Sequence, residues 1–197
     1  MNNFNTGDLL LFNYGSFSLI SWIIKFFTNS QYTHIGMIVK DPEFTNPPLK
    51  GIFVWESGEE PKPDPENNKL KLGVQFTPIE EILNDYKGKG HVFLRKINCK
   101  SNTFNNKDLD DIHKICHNKP YDLYPSDWLA ALFRKDNQPQ KTNRFWCSAL
   151  VGFIYTKLGI LKSETDWSVL RPSDFSQKLQ NVNFNKGFYL ENEICLF

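Results

Sequence analysis

The stretch Phe145-Trp146-Cys147-Ser148-Ala149-Leu150-Val151-Gly152-Phe153-Ile154-Tyr155 runs from an aromatic lead-in straight into an apolar segment of helical length. It predicts a core helix that starts at Cys147 and runs to about Leu158, where Gly159 is placed to end it. A thiol at a helix start faces unpaired N–H groups and the positive end of the aligned peptide dipoles. Both favour the thiolate and can hold a developing oxyanion. Most buried cysteines are merely small core residues, so the rest of the chain must supply the partners that make this one a nucleophile.

A cysteine nucleophile needs an imidazole. Of the four histidines, His34 lies in the β-rich run Thr33-His34-Ile35-Gly36-Met37-Ile38-Val39. Period-two alternation puts His34, Gly36 and Ile38 on one face of that strand. Gly36 leaves a gap beside the imidazole, which is read here as room for the close approach of the cysteine helix. A second run, 51–56, follows a loop containing Pro42, Pro47 and Pro48, so the two form a hairpin. With Val39 opposite Gly51, the register sets Ile38 against Ile52 and His34 against Glu56, and Glu56 becomes the carboxylate that orients the imidazole. The plainer alternatives are a histidine satisfied within the sheet and an exposed glutamate at a strand end.

Outward from this hairpin, Gly7-Asp8 leads into a short buried strand over Leu9-Leu10-Leu11-Phe12. Phe17, Ile20, Ile24 and Phe27 recur at helical spacing, which suits a core helix or an apolar wall for an acyl group. Residues 59–68 are polar and proline-rich and read as an exposed loop, residues 74–76 as a strand, and Pro78-Ile79-Glu80-Glu81 as a helix start. Residues 91–97 return to strand. Residues 107–117 form a helix with Leu109, Ile112, Ile115 and Cys116 inward, ended by Asn118-Lys119-Pro120. A short helix over 128–133 and a polar loop over 135–143 lead back to Cys147. Arg171-Pro172-Ser173-Asp174-Phe175 opens one more helical turn, and residues 188–190 and 194–197 are closing strands.

At 197 residues and 40% hydrophobic content the chain can bury one good core, and a single domain over 1–197 is the natural count. A net charge of +1, with acids and bases interspersed, gives no nucleic-acid footprint. Cysteines 99, 116, 147 and 195 are unevenly spaced in a chain too large to need disulfide staples, so they are read as reduced thiols in a cytoplasmic, reducing setting. The N-terminus shows no secretory pattern, and the longest apolar stretch, 17–27, is too short to span a bilayer, although it keeps a peripheral lipid contact open.

Gly7-Asp8-Leu9-Leu10, the Thr33 to Val39 strand, Val54-Trp55-Glu56, Pro120-Tyr121-Asp122, Trp146-Cys147-Ser148-Ala149-Leu150-Val151 and Arg171-Pro172-Ser173-Asp174 together resemble the circularly permuted papain-like cysteine amidases, the YiiX-like branch of the NlpC-type superfamily. The order is histidine, acid, cysteine. The resemblance implies an α+β permuted papain-like fold, an antiparallel sheet or half-barrel with the nucleophile helix packed against it. It implies Cys147 as nucleophile, His34 as its base or ion-pair partner, Glu56 as the third polar residue and Tyr121 bordering the site. Gly36 and Trp146 are placed with Tyr121 on the substrate side. The sequence departs from the commoner pattern at Ala149-Leu150, where many relatives carry an acid, and in an insertion over 127–143.

The expected activity is hydrolysis of an amide or peptide bond through a cysteine thioester, without a cofactor. Transfer of an acyl group, or lipid or ester hydrolysis on the same triad, is the alternative, and the superfamily includes lipid-acting members. A binding or virion-structural module that keeps the fold but does little chemistry is the other rival; a virion becomes the setting if the chain is virus-encoded. His113, Cys116 and His117, with Cys99 as a fourth ligand, form a minor zinc reading against the simpler one of histidines bonding carbonyls at a helix end.

Overall fold

Strand β1 (Leu9–Tyr14) is the axis of the sheet, with β2 (His34–Lys40) on one side and β5 (Gly90–Arg95) on the other. The computed structural model describes residues 3–14, 31–123 and 141–197. The helices expected over 17–27 and 128–133, and the loop at 135–140, lie outside the described residues.

The hairpin of β2 and β3 (Ile52–Glu59) extends through β4 (Leu72–Pro78), and β8 (Ile194–Cys195) pairs with β5 on the opposite edge. The result is a six-stranded sheet in the order β4-β3-β2-β1-β5-β8, in which every pairing is antiparallel. Two short strands, β6 (Ile97–Asn98) and β7 (Tyr189–Leu190), pair separately. The architecture is α+β, as the sequence suggests.

Alternation divides the core between the two faces of the sheet. Leu9, Leu11, Ile35, Met37, Val39 and Trp55 pack on one face with helices α2 (Asn106–Cys116) and α3 (Cys147–Lys157). Leu10, Phe12, Ile38 and Val54 pack on the other with Ile79 and Ile82 of α1 (Ile79–Tyr86). In α3 every residue from Cys147 to Tyr155 is buried, so its sequence is apolar all round instead of striped. Tyr155 donates its hydroxyl to the Gly7 carbonyl at 2.6 Å, and Ser148 donates to the Leu170 carbonyl at 2.7 Å, fixing both ends of the helix. Gly159 follows with φ +67°, the left-handed conformation that ends such helices.

Three expectations change. The β2–β3 register pairs Val39 with Phe53 and Ile38 with Val54, two residues away from the Val39–Gly51 alignment. The loop is two residues shorter, with Gly51 meeting Asp41 in place of Val39: Asp41 N–H donates to the Gly51 carbonyl at 2.7 Å, and Gly51 N–H donates back to Asp41 Oδ1 at 2.8 Å. An even shift leaves side chains on the same face. In α2 Ile115 is exposed while His113 is buried. Within 59–68 Asp64 and Glu66 are buried, the first paired with Lys71 and the second with His113, so this polar segment is pinned down by charge pairing.

A backbone approach at Gly73 carries this scaffold to the functional side chains. Val74 N–H donates to the Lys119 carbonyl at 2.9 Å, and Tyr121 N–H to the Leu72 carbonyl at 3.1 Å. A Cβ at Gly73 would collide with the Lys119 carbonyl oxygen and come 2.9 Å from Pro120 Cα. Backbone cannot swing aside as a side chain can, so Gly73→Ala should lower stability by about 1–3 kcal/mol. A urea midpoint unchanged from wild type would contradict this packing.

Candidate active site

Cys147 is the first residue of α3, and Trp146 is its N-cap in an extended conformation. The lead-in is held from two directions. Ser57 of β3 donates its hydroxyl to the Phe145 carbonyl at 2.6 Å, and Phe145 N–H donates to the Pro120 carbonyl at 3.1 Å. Tyr121 therefore runs parallel to Phe145, and Arg144 Nε lies 3.3 Å from Asp122 Oδ1 across the same pair of strips. These contacts place the thiol, the tyrosine and strand β3 together although they are remote in sequence.

The sequence-derived trio converges. His34 Nε2 is bonded to Glu56 Oε2, and the His34 ring also interacts with the Cys147 side chain. With Nε2 taken by the carboxylate, Nδ1 is the nitrogen left for the sulfur. Glu56 is fully buried, and its second oxygen accepts from the Thr77 hydroxyl, so both of its oxygens are engaged. His34 remains 17% exposed on its side chain while Cys147 is 2% exposed, so the imidazole is the more open member.

Charge follows from this geometry. Burial alone would push the His34 imidazole down; its bonds to Cys147 and Glu56, and the negative charge of each, outweigh that and raise it well above its ordinary value. The protonated ring is thereby favoured. Tyr121 is buried beside Cys147, and burial first, then its interaction with Cys147, raises its hydroxyl well above the ordinary phenol range. It therefore stays a proton-bearing donor beside the sulfur.

The glycines act differently from the sequence-based reading. Continuing the ladder past Met37–Trp55 sets Gly36 opposite Glu56. A Cβ at Gly36 would collide with Val54 Cγ1 and lie 3.3 Å from Glu56 Cβ, so the gap admits side chains of β3 and not the cysteine helix. Gly36 is thus a packing position within the hairpin. The residue that leaves room for the imidazole is Gly58, where a Cβ would stand 3.3 Å from His34 Cε1. His34 reaches Glu56 diagonally, a contact open to long side chains. Trp146 directly precedes the thiol, and its buried Nε1–H has no hydrogen-bond partner among the described residues.

Sequence reading passed over Glu60, two residues beyond Gly58 and four beyond Glu56. Burial first, and then the Glu56 charge, push its carboxyl up to about 8 against the opposing pull of His34. Period two from Glu56 was the available signal. The zinc set is not assembled as expected: neither Cys116 nor Cys99 joins His113 and His117, and Glu66 stands with the two histidines instead.

No protein-family profile matches the chain, and no curated protein matches it in sequence. Among solved structures it resembles the metalloprotein yiiX from Escherichia coli O157:H7, described as DUF1105. The alignment covers 96% of this chain and 97% of that one, with a TM-score of 0.50 and 17% identity. The chain has a YiiX-like fold. At that identity the likeness concerns the fold alone. Among the described residues no helix is long and apolar enough to cross a membrane.

Glu60 supplies a pH test of this electrostatic arrangement. Its folded-state value lies above that of an ordinary glutamate, so the folded protein binds the extra proton. The associated stability is complete below pH ~4.5 and is lost as pH rises to about 8. Glu60→Gln should flatten the fall in stability over that window. An identical pH–stability profile in the variant would show that Glu60 does not carry it.

Proposed function

We propose that this protein is a thiol hydrolase of the circularly permuted papain-like type, cleaving an amide or peptide bond with Cys147, His34 and Glu56. The observation that carries the reading is the His34 ring, bonded to a buried carboxylate and interacting with a thiol at a helix N-terminus. A nucleophile, its base and an orienter of that base in one connected line is the arrangement covalent acyl chemistry requires. The order of these residues along the chain, and the YiiX-like fold, support the permuted assignment.

In the first half-reaction the Cys147 sulfur attacks the substrate carbonyl carbon, and the carbonyl electron pair moves onto oxygen. The Cys147 N–H and the Tyr121 O–H are the donors assigned to that oxyanion. As the tetrahedral intermediate collapses the C–N bond breaks, and His34 gives its proton to the departing amine, leaving a thioester. In the second half-reaction His34 takes a proton from water as the water oxygen attacks the thioester. The C–S bond then breaks, releasing the acid and restoring the thiolate–imidazolium pair. An alcohol or amine replacing water would make the same chemistry acyl transfer. The four unpaired cysteines suit a reducing compartment, in which Cys147 stays available.

Screening of amide, peptide and acyl-ester substrates, with intact-mass detection of an adduct on Cys147, tests the proposal. Wild type should turn over at least one class and accumulate a thioester that hydroxylamine removes, while Cys147→Ala should be folded and inert. Tyr121→Phe should lose about 100- to 1,000-fold in kcat if its hydroxyl holds the oxyanion. Turnover surviving in Cys147→Ala would overturn the assignment, and a kcat unchanged in Tyr121→Phe would remove the tyrosine from the oxyanion site.

A further inference from the structure

A second convergence of polar side chains lies on the face of the sheet opposite His34 and Glu56, under the same layer as α3. Glu66 comes from the segment between β3 and β4, while His113 and His117 come from the last turn and C-cap of α2. A spacing of four residues brings the two rings to one side of the helix, with centroids 4.8 Å apart. Both rings point a nitrogen at the same atom: Glu66 Oε2 lies 3.1 Å from His113 Nε2 and 3.2 Å from His117 Nδ1. One donor atom from each residue, all within 4.8 Å of one another, makes a two-histidine, one-carboxylate set.

We infer that Glu66, His113 and His117 form a binding site for one divalent transition-metal ion of the zinc class. Ligands about 2.0–2.1 Å from a tetrahedral zinc stand about 3.3 Å apart, so two of the three edges are already close to coordination length. The third closes by a small rotation of His117, the most exposed of the three at 33% of its side chain against 9% for His113 and 4% for Glu66. That open side is the entry path and leaves a position for water or another ligand. Asn118 Nδ2 lies 2.6 Å from His117 Nε2, and Asn46 N–H donates to Glu66 Oε1 at 3.4 Å, so both ligands have outer partners. Phe44, Trp55 and Phe76 wall in His113, with ring centroids 5.4–5.9 Å from its own. Imidazole and carboxylate without thiolate suit zinc, and also nickel or cobalt, better than calcium or magnesium.

The two rings already meet at Glu66 Oε2. A bound ion displaces any proton from the ligating ring nitrogens to solvent or to the outer nitrogens. Its effect is structural: it clips the segment after β3 onto α2. Trp55, which touches the His113 ring, alternates in β3 with Glu56, which touches His34. The ion therefore sits behind the triad and takes no part in its chemistry.

Zinc titration of chelator-treated protein by calorimetry, with metal content by mass spectrometry, tests this site. The Cys147→Ala background removes the reactive thiol as a competing ligand and keeps the outcome independent of hydrolase activity. One zinc per chain and a raised Tm are expected. The affinity loss in His117→Ala and in Glu66→Gln should exceed the about 10- to 100-fold that removal of an outer-shell partner costs. Cobalt should give a spectrum without thiolate charge transfer. His117→Ala alters a partly exposed side chain, and circular dichroism checks its fold. No stoichiometric zinc, unchanged affinity in His117→Ala, or thiolate bands with cobalt would each overturn the inference.

Discussion

A carboxylate with no solvent exposure, Glu56 in the middle of a sheet, is the constraint on which the site depends. Stripped of a partner, a charge in that position costs about 3–5 kcal/mol. The fold meets this cost with Thr77 from β4 on one oxygen and His34 from β2 on the other. The strands flanking β3 are therefore held at a register that delivers these two side chains to one carboxylate. The same bond leaves the other ring nitrogen for Cys147 and, with Cys147, favours the protonated ring, so the interaction that permits burial also prepares the base.

Strand β3 serves three purposes through consecutive residues. Trp55 faces the core beneath α2 and α3, Glu56 faces the imidazole, and Ser57 ties down the carbonyl just before Trp146 and Cys147. Gly58 then makes way for His34. The thiol is fixed relative to the base through backbone and β-strand contacts, without a long flexible side chain in between. Such rigidity is what a preorganised nucleophile needs. Arg95 does comparable work away from the site: it is buried and donates to the carbonyls of Phe175, Leu190 and Glu191, which binds the C-terminal segment to β5.

Much of this was legible in the sequence because it follows from local pattern. The strand carrying His34, the helix starting at Cys147 and the terminator Gly159 are set by periodicity and conformational preference, and the structure places them accordingly. Glu56 fell on the correct face under a register two residues off, because alternation survives an even shift. What failed depended on contacts between remote segments. Composition alone made 59–68 look exposed, while Lys71 and His113 bury its acids. Gly36 and Gly58 both signal close approach, but only the register shows which side chain each one admits. Ile115 and His113 exchange burial because Glu66 and three aromatic rings await the histidine.

The central claim is that His34 and Cys147 form one electrostatic unit. It is tested most directly by the rate of Cys147 alkylation against pH in wild type and His34→Gln, followed by peptide mapping. Mapping is needed because Cys195 is exposed, whereas burial raises the thiols of Cys99 and Cys116 and slows their reaction. The account predicts a wild-type profile that rises well below pH ~8.5 and moves up to that ordinary thiol range in the variant. Superimposable profiles in the two proteins would contradict it.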